Sequence, residues 1–489
     1  MIDRNSPVPI YYQLKMLLKQ RIEQGVLRPS ERIPTELELC DQYGISRAPV
    51  RQALMELVRE GYVQRRAGQG SFVANREATV EQPYVTLSML AYDVRWASLL
   101  EQAVVEWNQL HPENRVRLDI NMPPQADFHR QLQTAVVRGQ APDLVSIDYV
   151  WVAEYAQAGY LTPLDVLDPT WGAQLNSDLE EPVRLNHTFA DHLYALPVQA
   201  DISGLWYRRD WFDAEGLTPP TTWEEWLALI DYFSRSEVQT RWGYQYPIAF
   251  PISTITGEAV INLLLPFIWA GGGDIINKKG QFILDTPPTY QALKFLRQIT
   301  IDRRCLPPEV VEFEWSGVPW LLGQGALPMS LGGTYEWVAI FEEANWDTEE
   351  EMAQRLGFVP IPRPTPKSPP IASLGGTSWA ILSQSEHQDI CVNLLRLAMQ
   401  SEMNLPFCQE NFQISPSKRV NAQLKGPQHP WLSQVVPLLS IARPRPLLAE
   451  YTYVSRLVQL MFEQVLWEDA PIRETVAQTA RTLKLLIGH

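Results

Sequence analysis

Cysteine is scarce in this chain of 489 residues: Cys40, Cys305, Cys391 and Cys408 are all there are, and no two form a Cys-x-x-Cys pair. That excludes a zinc-ribbon pattern and a disulfide framework, and leaves free thiols in a reducing compartment as the expectation. Long apolar runs are missing as well. The longest, Ala259 to Ala270, is broken by Asn262 and Pro266 and falls short of the about 20 residues that span a bilayer. The first residues lack the basic-then-apolar pattern of an export signal, so a cytoplasmic protein is expected. Among the seven histidines no His-x-x-x-His pair occurs, and no nucleophile elbow is present. Adjacent acids such as Glu224-Glu225 and Glu349-Glu350-Glu351 read as solvated helix surface. Neither a metal site, a cofactor nor an enzyme is expected.

What is present is an ordinary globular composition, 45% hydrophobic and 20% charged, long enough for about three domains. The charge is unevenly spread. The net charge is −15, yet residues 1–75 carry 11 Lys+Arg against 8 Asp+Glu, and the acidic excess lies wholly in the remainder. A small basic module on a large acidic body points to a DNA-facing head. All 17 tryptophans lie beyond residue 90, and a cleft lined by aromatic rings is a natural use for part of them.

Within residues 1–75, Ile10, Leu14, Leu17, Leu18 and Ile22 recur at helical spacing until Gly25. Thr35-Glu36-Leu37-Glu38 fits a capping box for a second helix that stops at Gly44. Ser46 can cap a third, with Pro49 in its first turn and Gly61 at its close. Residues 62–66 and 71–74 read as two short strands around Ala67-Gly68-Gln69-Gly70. This is the outline of a winged helix-turn-helix. Such a fold lays its third helix in the major groove, where Arg47 and Arg51, one turn apart, can grip guanine edges or clamp phosphates. Arg65 and Arg66 flank a slim glycine tip suited to a minor groove.

The runs Pro9-Ile10-Tyr11-Tyr12-Gln13-Leu14, Ile33-Pro34-Thr35-Glu36, Ser46-Arg47-Ala48-Pro49-Val50-Arg51-Gln52-Ala53-Leu54 and Gly68-Gln69-Gly70-Ser71-Phe72-Val73 together resemble the GntR family of bacterial transcription regulators. The resemblance implies a homodimer on a palindromic double-stranded DNA operator. It assigns DNA contacts to Ser46, Arg47, Pro49, Arg51, Arg66, Gly68, Gln69 and Gly70. Two positions depart from the family pattern: Leu37 replaces an arginine, and Ser30 stands where a turn glycine is usual.

Residues 76–84 read as a linker, and residues 85–489 as the effector part. There, strands at 85–90, 116–120 and 144–147 alternate with amphipathic helices in an α/β pattern. A regulator of this length also suggests a pyridoxal-phosphate aminotransferase fusion. That chemistry needs a Schiff-base lysine and a phosphate cup, and only Lys418, in Ser415-Pro416-Ser417-Lys418, stands in a faintly similar context. A better fit comes from Ala141-Pro142-Asp143-Leu144-Val145-Ser146-Ile147-Asp148, Leu205-Trp206-Tyr207-Arg208-Arg209-Asp210, Trp269-Ala270-Gly271-Gly272-Gly273-Asp274, Gly323-Gln324-Gly325-Ala326-Leu327-Pro328-Met329 and Gly375-Gly376. In that order they resemble extracellular solute-binding proteins of the sugar-uptake type.

This resemblance implies a multidomain chain: the winged helix followed by a two-lobed α/β, periplasmic-binding-protein-like domain (type II, maltose-binding-like) closing on a ligand. Lobe 1 is expected at about 85–198 and 331–373, lobe 2 at about 199–330 and 374–489. The chain is expected to cross between them near Pro197–Asp201, Ser330–Gly333 and Leu374–Gly376. A sugar needs aromatic faces and carboxylates, and the candidates are Tyr92, Asp93, Asp148, Trp151, Asp201, Trp206, Trp269, Asp274, Tyr335, Trp337 and Trp379. The expectation is a regulator that senses a small polar solute, a mono- or oligosaccharide. The alternative is a solute-binding protein whose N-terminal module only dimerises.

Overall fold

Local signals build the N-terminal domain. Apolar residues at helical spacing form α1 (Ile10–Glu23), and Tyr11, Tyr12, Leu14 and Leu18 are its buried face. Thr35 opens α2 (Glu36–Tyr43) with a complete capping box to Glu38, and Gly44 closes it in the left-handed conformation. Helix α3 (Arg47–Arg59) follows, with Pro49 in its first turn. Ser46 holds the N-cap position in extended backbone, but its side chain makes no capping bond. Strands β1 (Val63–Arg66) and β2 (Gly70–Val73) pair as an antiparallel wing. Ser30 has φ 66°, so this serine adopts the conformation for which glycine is the inexpensive choice. The domain has a hydrophobic core of its own, centred on Leu14, Leu18, Val50, Leu54 and Leu57.

The computed structural model describes residues 2, 9–66, 70–74, 84–91, 96–123, 125–313, 317–344, 346 and 348–487. After the winged helix the chain runs through β3 (Val85–Ala91), α4 (Ala97–Leu110), β4 (Val116–Asn121), β5 (Leu144–Asp148), a hairpin of β6 (Thr188–Phe189) and β7 (His192–Leu193), and β8 (Leu196–Pro197). There follow β9 (Asp201–Arg208), β10 (Ile248–Ala249), β11 (Met329–Gly333), β12 (Leu356–Val359), β13 (Ala372–Gly375), β14 (Thr377–Ile381) and β15 (Ala442–Arg443).

Two sheets define two lobes. Lobe 1 has the order β4-β3-β5-β14-β8, with β3, β4 and β5 parallel and β14 antiparallel to β5. Lobe 2 has the order β10-β11-β9-β13-β15, and β12 also pairs with β9. All eight residues of β9 are buried, as befits a strand covered on both faces. The apolar run at 259–270 is the core of helix Glu258–Ala270, buried from Val260 onward despite Pro266.

The topology corrects the expected lobe boundaries. Ser330–Gly333 is not a crossing: it lies within β11, which pairs with Ser203–Trp206 of β9 in the lobe 2 sheet. The glycines that suggested a break serve close packing, since a Cβ on Gly332 would strike the Glu336 carboxylate and the Trp206 ring, and one on Gly333 the Tyr335 ring. Segment 331–373 therefore belongs to lobe 2. Conversely, β14 at 377–381 is a lobe 1 strand, and Ser417 and Arg419 are bonded to Asp178 of lobe 1. The sheet changes occur at Gln199–Ala200, between β8 and β9, and at Gly376, between β13 and β14. The chain returns to lobe 2 after the helix Lys418–Gln423, where Gln434 donates to the Phe358 carbonyl. Gly376 has φ +147°, and a Cβ there would land on the Gln199 carbonyl oxygen. Two crossing segments can touch only because this residue has no side chain.

Candidate functional site

On the winged helix, Arg47 and Arg51 stand on the exposed side of α3, while Pro49 is buried beneath them. The Arg51 Nε donates to Glu36 Oε2 at 2.9 Å, and Arg65 approaches the same carboxylate at 3.9 Å. Glu36 thus holds Arg51 beside the first turn of α3. Gly70 packs over the Arg32 guanidinium with φ +111°. Gly68 and Gln69 lie outside the described residues, as does the side chain of Arg66.

The second candidate region is the junction of the lobes. Gln199, at the first crossing, is a polar hub: its amide oxygen accepts from the Trp96 indole at 2.8 Å. Its amide nitrogen donates to Asp201 Oδ1 at 2.8 Å and to Gln413 Oε1 at 2.9 Å. Thr334 adds a contact to Asp201 at 3.4 Å. Gln199, Asp201, Thr334 and Gln413 are all buried, so their mutual bonding is what makes the cluster tolerable. Close by, burial raises the Glu336 carboxyl well above its ordinary range and the Asp201 charge adds to the rise, while backbone and Trp206 hydrogen bonds oppose it.

A cross-lobe ion cluster forms the third element. Arg445 donates Nη2 to both oxygens of Asp148 at 3.1 Å, Nη1 to Glu258 Oε2 at 2.7 Å and Nε to the Tyr149 hydroxyl at 3.0 Å. Asp148 ends β5 of lobe 1, whereas Glu258 opens a lobe 2 helix. Tyr149 in turn donates to the Leu374 carbonyl beside the Gly376 crossing. Burial raises the Glu258 carboxyl, and the Arg445 charge pulls it back. Thr452 reaches Glu154 of lobe 1 at 2.6 Å from the same stretch of chain. The lobes are thereby buttoned together at Asp148–Arg445–Glu258.

With this geometry in view, the comparisons with known proteins are decisive for the family. The profile of "Bacterial extracellular solute-binding protein" matches residues 94–396, more than half of the chain. The chain belongs to the bacterial extracellular solute-binding protein family. The profile "Bacterial regulatory proteins, gntR family" matches residues 10–73. That segment is 45% identical over 73 residues to the uncharacterized HTH-type transcriptional regulator YurK of Bacillus subtilis, covering 15% of this chain and 30% of that protein. It is 43% identical over 94 residues to the HTH-type transcriptional repressor NagR of Bacillus subtilis, covering 19% and 38%. The chain spans only about a third of the length of these curated relatives. Among solved structures, maltose-bound MalE3 of T. maritima superposes with a TM-score of 0.70 at 20% identity, over 83% of this chain and all of that one. The architecture is thus a gntR winged helix followed by a solute-binding protein of maltose-binding-protein-like fold.

The solute-binding lobes hold the sequence candidates in different ways. Trp206, Trp337 and Trp379 have no exposed surface. Trp206 and Trp337 stack on Trp431 with centroids 4.9 and 4.3 Å apart, and Trp379 sits mid-sheet opposite Ser146. These rings fill the core and offer no face to a solute, which corrects the reading of Trp337 and Trp379 as ligand residues. Trp151 packs against Phe128 and His129, and burial pushes the His129 imidazole down to about 4. Asp201 belongs to the hub at the crossing. Trp269 donates to Asp274 at 3.0 Å and carries the Arg443 guanidinium 4.6 Å above its ring, Arg443 also pairing with Asp274. Tyr335 lies over Gly333. Tyr92 and Asp93 lie outside the described residues.

Sequence reasoning missed Arg443, Arg445, Tyr149, Gln199 and Gln413. The alternation Arg443-Pro444-Arg445-Pro446 was the available signal, because prolines on both sides hold Arg445 in an extended segment. This one segment brings Asp148, Trp269 and Asp274 within reach of two guanidinium groups. Lys418 is exposed and donates to the Ser177 carbonyl at 3.2 Å, not a setting in which an aldehyde cofactor would be enclosed. Among the described residues no group of three metal-ligating side chains occurs, and no helix is long and apolar enough to cross a membrane.

Proposed function

We propose that this chain is a DNA-binding transcriptional regulator whose solute-binding domain senses a small polar solute, a mono- or oligosaccharide, by lobe closure. The observation that carries it is the union of a gntR winged helix and a sugar-binding-protein fold in one chain. NagR is named a repressor, and the T. maritima neighbour was solved with maltose; both support the assignment by analogy. In this reading the protein works inside the cell as a homodimer on a palindromic operator, and it is not an enzyme. Arg47 and Arg51 read the major groove, and the wing at Arg66–Gly70 reaches the minor groove. Asp148, Asp274 and Tyr335, with Tyr92 and Asp93, supply the solute contacts, and Trp151 and Trp269, buried in this conformation, join them only once the lobes open.

A thermal-shift screen of mono- and oligosaccharides identifies the solute, because a ligand of the native state raises the melting point by mass action. Selection from random duplexes then yields the operator. Titrations at fixed salt, with and without solute, should differ by a coupling of about 1–3 kcal/mol; equal affinities refute the reading. A second reading is favoured by exposed Leu37 and by the pairing of Arg51 with Glu36. In it the N-terminal module only dimerises, and Arg47→Ala and added salt leave any DNA affinity unchanged.

A further inference from the structure

One flank of α3 is covered by the chain's own solute-binding domain, while Arg47 and Arg51 beside it keep their solvent exposure. Lys15 of α1 is completely buried, and its ammonium group contacts Glu56 of α3 at 3.2 Å, Glu60 at the C-cap of α3 at 3.0 Å, and Glu101 at 2.6 Å. Glu101 belongs to α4 of lobe 1, so this cluster braces the winged helix and also ties it to the solute-binding domain. Further along α3, Gln52 donates to Asn411 at 3.3 Å, and Arg59 pairs with Glu410. Gln52, Glu56 and Arg59 recur at helical spacing on one flank of α3, beside the stripe of Arg47 and Arg51.

Between that stripe and the sensor lies a cavity of about 490 Å³. Arg47, Arg51 and Met55 form one wall, and Phe341, Trp346 and Phe412 form the other. A helix reading bases must enter a groove about 12 Å wide and 8.5 Å deep, with phosphate backbones on either side. No such object fits between walls that already touch through Gln52 and Asn411. The docking also straddles the lobes. Glu101 lies on lobe 1, whereas Val338, Phe341 and Trp346 are in lobe 2. A void of only about 10 Å³ separates Tyr11 and Gln52 of the winged helix from Trp96, Val338 and Gln413. Trp96 and Gln413 are themselves bonded to Gln199 at the crossing.

We propose that α3 is an interaction surface for the chain's own solute-binding domain, and that docking across both lobes masks the DNA-reading face until a change in lobe angle releases it. The inference rests on the reading of the N-terminal domain as a DNA reader. It adds that the conformation described here is the one that does not read. Solute-driven movement of lobe 2 against lobe 1 shifts Val338 and Phe341 relative to Glu101, so one docked face cannot match both lobe angles.

The test uses the full chain, with Glu101→Lys and, as a milder variant, the pair Glu410→Ala and Asn411→Ala. Two readouts are taken: the maleimide labelling rate of Cys40, which lines the cavity, and the affinity for a labelled random-sequence 30-bp duplex (~30 bp suffices for non-specific binding) at low salt. The expected result is Cys40 labelling at least about tenfold faster and duplex affinity at least about tenfold higher in both variants, the duplex term falling with salt. Unchanged labelling and affinity in the milder variant, with an unchanged melting transition, overturns the proposal. So does a wild type that already binds the duplex as tightly as the variants do, which would leave the DNA-reader assignment standing. Faster labelling with no salt-sensitive binding in any form overturns the DNA-reader assignment, and the masking inference falls with it.

Discussion

Replacing Glu56 with glutamine should weaken the pH dependence of the seam between the two domains. Glu56, Glu60 and Glu101 surround Lys15, with Lys19 at 3.2 Å from Glu60 and 3.9 Å from Glu101. Burial works to lower the Lys15 ammonium, but the three carboxylates prevail and hold it protonated. Three acids against two cations leave one acid in excess: burial raises the Glu56 carboxyl to about 7 and raises the Glu101 carboxyl as well, with the Lys15 charge opposing both. A Glu56 in the unfolded chain titrates near 4.3. Between those two values the folded state holds a proton that the open state does not. Stability attributable to this group is therefore greatest below about pH 4.3, falls as pH rises, and levels off above about 7.

The rise to about 7 corresponds to about 3 kcal/mol across that window. Glutamine presents the same shape without the charge, so Glu56→Gln should remove the Glu56 share of the slope and leave that of Glu101. It should leave the protein near wild type at about pH 4.5 and stabilise the seam by about 3 kcal/mol at about pH 8. Amide hydrogen exchange of α1 and α3, corrected for intrinsic rate, reads the opening free energy directly. A flat profile in the wild type, or an equal slope in both proteins, would refute the argument.

Ser30→Gly should stabilise the winged helix by about 1 kcal/mol, because φ 66° strains a residue bearing a Cβ; denaturant titration checks it, and a loss of stability counts against the strain. Arg445→Met should cost about 3–5 kcal/mol, because it strands Asp148 and Glu258 without their cation. Thermal melts should place that loss in the solute-binding domain, partly restored in an Asp148→Asn background. Gly376→Ala should fail to accumulate as folded protein, since its Cβ meets the Gln199 carbonyl at a φ of +147°. Circular dichroism and yield report it, and a normally folded variant would show that the crossings are not held so closely.

The parts legible in the sequence were those fixed by short-range rules. The capping box of Thr35 and Glu38, the left-handed Gly44 and Gly61, and the first three parallel strands of lobe 1 each depend on a few neighbours. The second crossing was misjudged because Gly332-Gly333 has two possible causes, a turn or a close approach, and only packing reveals that the Trp206, Tyr335 and Glu336 side chains need the space. Trp337 and Trp379 looked like cleft residues since burial is a property of the assembled lobe, not of position along a strand. Arg445 was hidden for another reason: its partners Glu258 and Asp148 stand 187 and 297 residues away. The Leu37 and Ser30 departures were visible at once, and Ser30 took the glycine conformation regardless.

Trp96 sits where three bodies meet. Its indole N–H is held by Gln199, its ring lies 4.9 Å from Phe407, and Tyr11 of the winged helix is across a void of about 10 Å³. An indole so placed is a built-in optical reporter whose emission responds to hydration and to the loss of its acceptor. Undocking would wet one side of it and lobe rotation would break its bond on the other, so the difference in emission between the wild type and a Trp96→Phe variant, against the other tryptophans, follows both events without any attached dye.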